Sequence, residues 1–527
     1  MTCSCLQTRC LALILALLGG LGHSHAQPGQ PHAESPPPDR LTLEQCWELA
    51  LRRNREIQVE RLNPSIARHS LSAAHAAYDP ILFNDARWES LADTGGLDPA
   101  DLSRDAIYEA QSEASRLGIT GLLPSGLTYS LNTDYAHSDG SRNSLDFDSY
   151  SLRLGGTLRQ PLLRNSWIDS ARLSVRASRL LVRSADLALR YRVLDVIQRA
   201  THAFHELGFA HQNHRTQQDL VTLRHAYLET VRRRVEGGTL TSPDLALAAA
   251  QVAVAEAQAA AAAQNLALAR HELLTLIGHP WRDPGLPACE PVNALQLQPV
   301  VLDLHASWQE ASARRPDLAM LHAELERSEL DVRFWRNQLF PTLDLVGAYG
   351  RRGASTTQTL PQFNVTADFD EAWNQVADGT APNHGVGFIF SMPLTRRLER
   401  SRHRASRDTR AQVELRVLQH EEWIRREIAD AHSIAVLSRE RLALTREARE
   451  RITAALAAEE QRLAGGKSTV FLVLQLQSDL AQARAAEWRA RADHLQAVNR
   501  LHFADGSLLE RLGIQYEPAP PPADGPR

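Results

Sequence analysis

Two periodicities alternate along this chain. In residues 150–158, Tyr150, Leu152, Leu154 and Leu158 share one face of an extended chain, while Ser151, Arg153, Thr157 and Arg159 share the other. Leu127, Tyr129, Leu131 and Tyr135 oppose Thr128, Ser130, Asn132 and Asp134 in the same way. Leu343, Leu345 and Tyr349, then Val386, Phe388, Phe390 and Met392, give two more such stretches. A period of two with one apolar and one polar face predicts β-strands, and it is also the weak signature of strands in an outer-membrane barrel. Between these stretches the chain reads as helix. The first half predicts helices at about 43–77, with Thr42 as N-cap, from after Pro161 to about 236, and at 243–277. The second half predicts them at about 304–339, 395–464 and 469–503. At ~1.5 Å per residue the longest reach on the order of 100 Å. Globular helices seldom grow so long, so these are coiled-coil-like rods. Residues 246–269 are dominated by alanine, which suits close lateral packing of helices.

The same plan occurs twice. Ile57 and Pro80 are spaced as Leu318 and Pro341 are, each pair opening a helix and closing one. Gly238 and Gly278 are spaced as Gly466 and Gly506 are. Gly238 and Gly466 interrupt a long helix, and the other two lie near the end of the next. Internal repetition on this scale constrains the fold strongly. It divides the chain into a first repeat at 41–278, a Pro- and Gly-rich linker at 279–303 and a second repeat at 304–513.

Composition refines this picture. Arg9, an apolar run at 11–21 and Ser24-His25-Ala26 make residues 1–26 a secretory signal peptide, followed by a Pro-rich linker at 27–40. A Pro-rich tail occupies 514–527. Cys3, Cys5 and Cys10 would leave with the signal; Cys46 and Cys289 remain, and their pairing stays open. Beyond the signal, no stretch is expected to reach the roughly twenty apolar residues of a spanning helix. The mature chain is then either soluble or crosses a membrane as a closed barrel, since only helices and barrels satisfy the backbone in lipid. A formal net charge of −4 gives no footprint for nucleic acid.

The ordered and duplicated motifs resemble the TolC-like family of outer-membrane efflux proteins. They are Leu41-Thr42-Leu43-Glu44, Arg315-Pro316-Asp317-Leu318, Pro341-Thr342-Leu343, the strand exits Gln160-Pro161-Leu162 and Met392-Pro393-Leu394, and the helix breaks Glu236-Gly237-Gly238-Thr239 and Ala464-Gly465-Gly466-Lys467. The resemblance implies a mixed α and β fold: a trimeric outer-membrane β-barrel continued by a long periplasmic α-helical barrel. Each protomer would give two hairpins to the barrel, and the linker would lie at an equatorial belt. It also implies a passive channel served by a periplasmic adaptor protein and, through it, an inner-membrane pump. The tip and adaptor contact would fall at Gly237, Gly238, Thr239, Thr241, Gly465, Gly466, Lys467 and Ser468. Thr241, Ser242 and Ser468 are placed to cap the returning helices. Asp244 and Gln475 are the candidate gate residues. Two departures stand out. An additional hairpin is expected at 117–135, turning at Pro124-Ser125-Gly126, and Leu472 and Gln475 stand where relatives often carry tip carboxylates.

Catalytic signatures are not found: there is no phosphate loop, no nucleophile elbow and no zinc-helix motif. No cofactor is expected. His202 with His205, and His211 with His214, have the spacing of one helical turn but no carboxylate or cysteine to complete a ligand set. Arg232, Arg233 and Arg234 beside the first tip read either as a solvated face or as a source of positive potential where an adaptor docks. The competing reading is a periplasmic coiled-coil adaptor or scaffold without a pore. The two-faced strands argue against it.

Overall fold

The computed structural model describes residues 39–94, 107–142, 145–281, 287–297, 302–360 and 363–514. The expected signal peptide, nearly all of the Pro-rich linker at 27–40 and nearly all of the tail at 514–527 lie outside the described residues.

Thr42 does open the first helix. Its hydroxyl accepts from Gln45 N at 3.3 Å, and Gln45 Oε1 accepts from Thr42 N at 3.1 Å, a reciprocal cap. The continuous helix expected to follow is three helices: α1 (Leu43–Arg53), α2 (Arg55–Glu60) and α3 (Leu62–His75). Asn54 makes the first break. Its backbone is extended, its side chain accepts from Glu56 N and Ile57 N, and its Nδ2 donates to Leu276 O at 2.8 Å. The second repeat breaks at the matching point, between α6 (Leu304–Arg314) and α7 (Pro316–Asn337). Pro316 forces Arg315 into an extended conformation. Buried Arg315 then binds Asp317 and Glu427 and donates to Ala504 O at 2.8 Å.

From each break the chain passes through strands into a rod. Strands β2 (Ile81–Thr94), β3 (Ile107–Leu122), β4 (Thr128–Arg142) and β5 (Leu145–Pro161) lead into α4 (Ser170–Glu236), capped by Asp169. Strands β7 (Thr342–Thr356) and β10 (Pro382–Ser391) lead into α9 (Arg397–Ala464). A short strand β1 (Arg40–Leu41) pairs in parallel with β6 (Glu290–Pro291), which ties the start of the described chain to the linker. Between β7 and β10 lie a small hairpin, β8 (Gln358–Leu360) with β9 (Phe363–Val365), and α8 (Phe369–Asp378). The sequence reading missed α8.

The six long strands form one antiparallel sheet in the order β10-β7-β5-β4-β3-β2. The additional hairpin is therefore a full member of it. Each protomer has three hairpins' worth of strands in the sheet, against the two that the resemblance implied. Paired residues share a face, so the register defines both surfaces. Leu82, Trp88, Leu117, Ile119, Leu131, Leu154, Leu158, Val386, Phe388 and Phe390 fall on one face, all exposed. Asp85, Arg87, Arg116, Asp134, Arg153, Arg159 and Asp344 fall on the other. There, Arg116 Nε donates to Asp134 at 2.5 Å and Arg159 Nε to Asp344 at 2.7 Å.

The rods α4 and α9, of 67 and 68 residues, reverse into α5 (Ser242–Leu276) and α10 (Val470–Ala504), each of 35 residues. α11 (Leu508–Arg511) follows. The helices form a single layer. Far from the sheet its order is α5-α4-α10-α9, and near the sheet it is α3-α4-α7-α9. At each junction between the two levels a left-handed glycine ends the returning helix against the break in the other: Gly278 (φ 72°) meets Arg53, and Gly506 (φ 73°) meets Arg314. A Cβ on Gly278 would lie 2.4 Å from Arg53 O. The duplicated spacing seen in the sequence is this duplicated joint. The largest buried cluster gathers Trp47, Ile57, Ile197, Phe204, Leu273, Cys46 and Cys289 around the first joint, where both cysteines are free. Burial pushes the Cys46 thiol up to about 12.

One expectation is corrected. By length and composition α5 is apolar enough to cross a membrane, because its alanines carry hydropathy without bulk. It runs beside α4 as an edge helix of the layer.

Candidate conduit and its distal tip

The two hairpin ends farthest from the sheet are built alike. Gly238 (φ 75°) and Gly466 (φ 73°) take the left-handed conformation that glycine adopts without strain. The following amides reach back, Thr239 N to Arg234 O and Lys467 N to Arg462 O, both at 2.9 Å, which closes the C-terminal end of each rod. Gly237 (φ −78°, ψ 0°) and Gly465 (φ −83°, ψ 5°), just before, are the C-caps of the two rods. Thr239 Oγ1 also donates to Arg234 O at 2.9 Å. Nothing lies within 4 Å of where a Cβ on Gly238 or Gly466 would sit, so backbone conformation alone demands glycine there.

The returning helices differ. Thr241 caps α5 in a reciprocal box with Asp244, whose Oδ2 accepts from Thr241 N at 3.0 Å and from Thr241 Oγ1 at 2.6 Å. These bonds hold the Asp244 carboxyl below the usual carboxylate range. Ser242 is the first helical residue and not the cap. In the second hairpin Thr469 is the cap, accepting from Leu472 N at 3.4 Å, so the expectation for Ser468 is also corrected. The Ser468 hydroxyl bonds instead to Glu459, which faces Arg462. Leu472 takes the place that Asp244 has in the first hairpin, and no reciprocal box forms. Gln475 Nε2 donates to Asp479 Oδ1 at 2.9 Å, so a second-repeat carboxylate does lie one turn further along. Lys467 is exposed at the turn, and Arg232 pairs with Glu229 at 2.8 Å.

Above the tip the two hairpins pack together. Val231, Ala248, Val470 and Leu474 form a buried cluster between them. Arg224 of α4 is only 2% exposed; its guanidinium donates to Leu474 O and Ser478 Oγ of α10, both at 2.7 Å. Burial pulls its pKa below the usual arginine value. Sequence reasoning missed Arg224, because a lone arginine in an Arg-rich rod gives no signal of burial. Of the histidines weighed as ligands, His205 is buried and bonds to Ala294 O of the linker at 2.6 Å, and burial lowers its pKa to about 4. Among the described residues, no group of three or more His, Cys, Asp or Glu side chains is arranged to hold a metal ion.

A two-faced sheet continued by a single layer of rods is the geometry of a wall, with one side for lipid and one for water. Comparison with known proteins agrees. Residues 308–507 match the family model described as outer membrane efflux protein. The chain is 28% identical over 380 residues to the pyoverdine export outer membrane protein OpmQ of Pseudomonas putida, covering 70% of this chain and 72% of that one. It is 28% identical to OpmQ of Pseudomonas aeruginosa over 313 residues, 55% of this chain and 58% of that one. The fold is similar to the open state of the MtrE outer membrane channel of Neisseria gonorrhoeae, with a TM-score of 0.61 at 16% identity, covering 88% of this chain and 89% of that one. The wall geometry, the duplicated joints and these matches give one answer: the chain belongs to the outer membrane efflux protein family and is an outer-membrane channel with a large periplasmic portion.

Proposed function

We infer that three copies assemble into one duct that passively conducts cargo, received from an inner-membrane pump through a periplasmic adaptor, to the cell exterior. The observation that carries this reading is the open-sided wall. The two outermost helices of the layer both leave large apolar side chains exposed, Val254 and Leu268 on α5 and Leu415, Leu418 and Leu444 on α9. A single layer cannot bury both edges in itself, so it joins to copies of itself. The first repeat spans 41–278 and the second 304–513, with the linker 279–303 at the belt between barrel and rods. Gly237, Gly238, Thr239, Thr241, Gly465, Gly466, Lys467 and Ser468 form the tip that meets the adaptor. Asp244 and Gln475 flank the passage there. The relatives' printed names make small exported metabolites the first cargo to assay.

The test is site-directed cross-linking in intact cells. Thr239→Cys and Lys467→Cys, each carrying a short bifunctional reagent, are expected to trap the adaptor. Labelling of either position by a membrane-impermeant reagent from outside the cell would place the tip on the wrong side and overturn the reading.

A further inference from the structure

We propose that the membrane barrel of this protein is an eighteen-stranded wall, six strands from each of three subunits, sewn together by same-face pairing of β2 with β10 of the neighbouring subunit. The proposal rests on the trimeric duct above and adds to it the strand number, the partner edges and their register.

The first support is the hairpin β3–β4. Its strands are paired along nearly all of their lengths, β3 with β2 from Ile107 to Thr120 on one side and β4 with β5 throughout on the other. Its turn is fixed to the rod. Leu123 N bonds to Leu127 O at 2.8 Å, Gly126 takes a φ of 84°, and Arg172, in the first turn of α4, donates to Ser125 O at 3.1 Å and to Asn165 O at 3.2 Å. A hairpin held at the helix-side rim and paired on both flanks is part of the wall. It cannot be removed without leaving two open edges inside the sheet.

The second support is the edges that remain. Among the described residues, β2 and β10 each have one partner and one open side. In the hydrocarbon region an unpaired row of N–H and C=O groups costs several kcal/mol per group, so an open edge does not persist there. The chain supplies the closing geometry. β2 runs away from α3 and β10 runs back into α9, so neighbouring copies bring them together antiparallel. The strands also continue the two edges of the helical layer: β2 follows α3 on one side and β10 precedes α9 on the other. One lateral boundary therefore serves rods and strands alike.

The third support sets the register. On β2 the even-numbered Leu82, Ala86 and Trp88 share the apolar face, and on β10 the even-numbered Val386, Phe388 and Phe390 do. A slip by one residue would turn Asp85 and Arg87 toward lipid. Pairing across the seam is thus even with even. Barrel diameter grows roughly linearly with strand number, so the bore is about half as wide again as that of a barrel built from two hairpins per subunit.

The test uses the full-length channel in lipid nanodiscs. Native mass spectrometry first counts chains, and cryo-microscopy of the unmodified protein then counts strands. Three chains and eighteen strands are expected. Double variants add the register: Leu82→Cys or Ala86→Cys, combined with Val386→Cys, Phe388→Cys or Phe390→Cys, should include a pair that oxidises to covalent trimers. Arg87→Cys with the same partners should give none. A mass other than three chains overturns the duct and the seam with it. Three chains with only twelve strands in the wall, or covalent trimers confined to the Arg87→Cys pairs, overturn the seam and leave the duct standing.

Discussion

At the scale of single residues, the joint between the two levels of helix sets the strongest demands. Arg315 is enclosed, with its guanidinium bound to Asp317 at 2.7 Å and to Glu427 at 2.6 Å, and His420 approaches the same Asp317 at 2.8 Å. Removing one partner of such a buried set strands the others, which costs about 3–5 kcal/mol. Arg315→Ala is therefore expected to lower the thermal midpoint markedly in a calorimetric scan. An unchanged midpoint would show that the pairs contribute nothing net. The motif Arg315-Pro316-Asp317 was legible in the sequence as a helix opening. That its arginine also reaches Ala504 O was not, because that contact depends on a joint some 190 residues away. Asp244 behaves in the opposite way, being half-exposed and bonded only locally, to Thr241. Its lowered pKa means that its stabilisation of the α5 start is complete above the ordinary carboxylate range and is lost as pH falls through the lowered value. The protection factors of the amides in the first turn of α5, exchange rates taken relative to the unfolded chain at the same pH, should fall on acidification in the wild type. With Asp244→Asn that extra acid sensitivity should disappear.

At the scale of elements, the rods and their caps were readable and the short pieces were not. Thr42, Gly238 and Gly466 carry local signals, and each predicted boundary near them falls within a few residues of the observed one. The breaks at Asn54 and Arg315 were legible only in part: the motifs beside them marked helix openings at Ile57 and Leu318, while the helix spans drawn from periodicity ran on past them, and tertiary contacts reveal the kink. The amphipathic α8 was hidden between strands, although Asp368 caps it, Gly379 ends it, and Phe369, Ala372 and Val376 share a face. That face packs on Leu152, Tyr135 and Tyr150 beyond the exposed apolar band, leaving Trp373 48% exposed. The seat is tight: a Cβ on Gly353 would fall 1.9 Å from Ala372 O. Gly353→Val is therefore expected to lift α8 from the sheet and to expose residues 369–378 to limited proteolysis, with the trimer otherwise intact. Unaltered protease resistance would show that β7 yields instead.

At the scale of the whole molecule, the duplicated plan, the envelope location and the channel architecture were legible from motif order. The width of the wall was not, because pairing of β3 and β4 with their neighbours is a property of the sheet and not of either strand. The tip is where duct and residue meet. In a threefold assembly Asp244 recurs three times around the axis, and close carboxylates repel unless a cation sits among them. Single-channel recordings are expected to show larger conductance and weaker block by divalent cations for Asp244→Ala than for wild type. Equal conductance and equal block in a folded trimer would leave Asp244 as the partner of Thr241 alone.

The joints at Gly278 and Gly506 have one more consequence. Across the layer, columns that are butted end to end, α3 on α5 and α7 on α10, alternate with the unbroken columns α4 and α9. Masonry laid in this way has no course along which it can crack, since every joint is flanked by a stretcher that runs through. A pull applied at the distal end is carried past the joints by α4 and α9, and each of these is continuous in the chain with a strand, β5 or β10. Axial load from the periplasm thus arrives in the membrane wall at two strands per subunit, while the butted columns end at their joints.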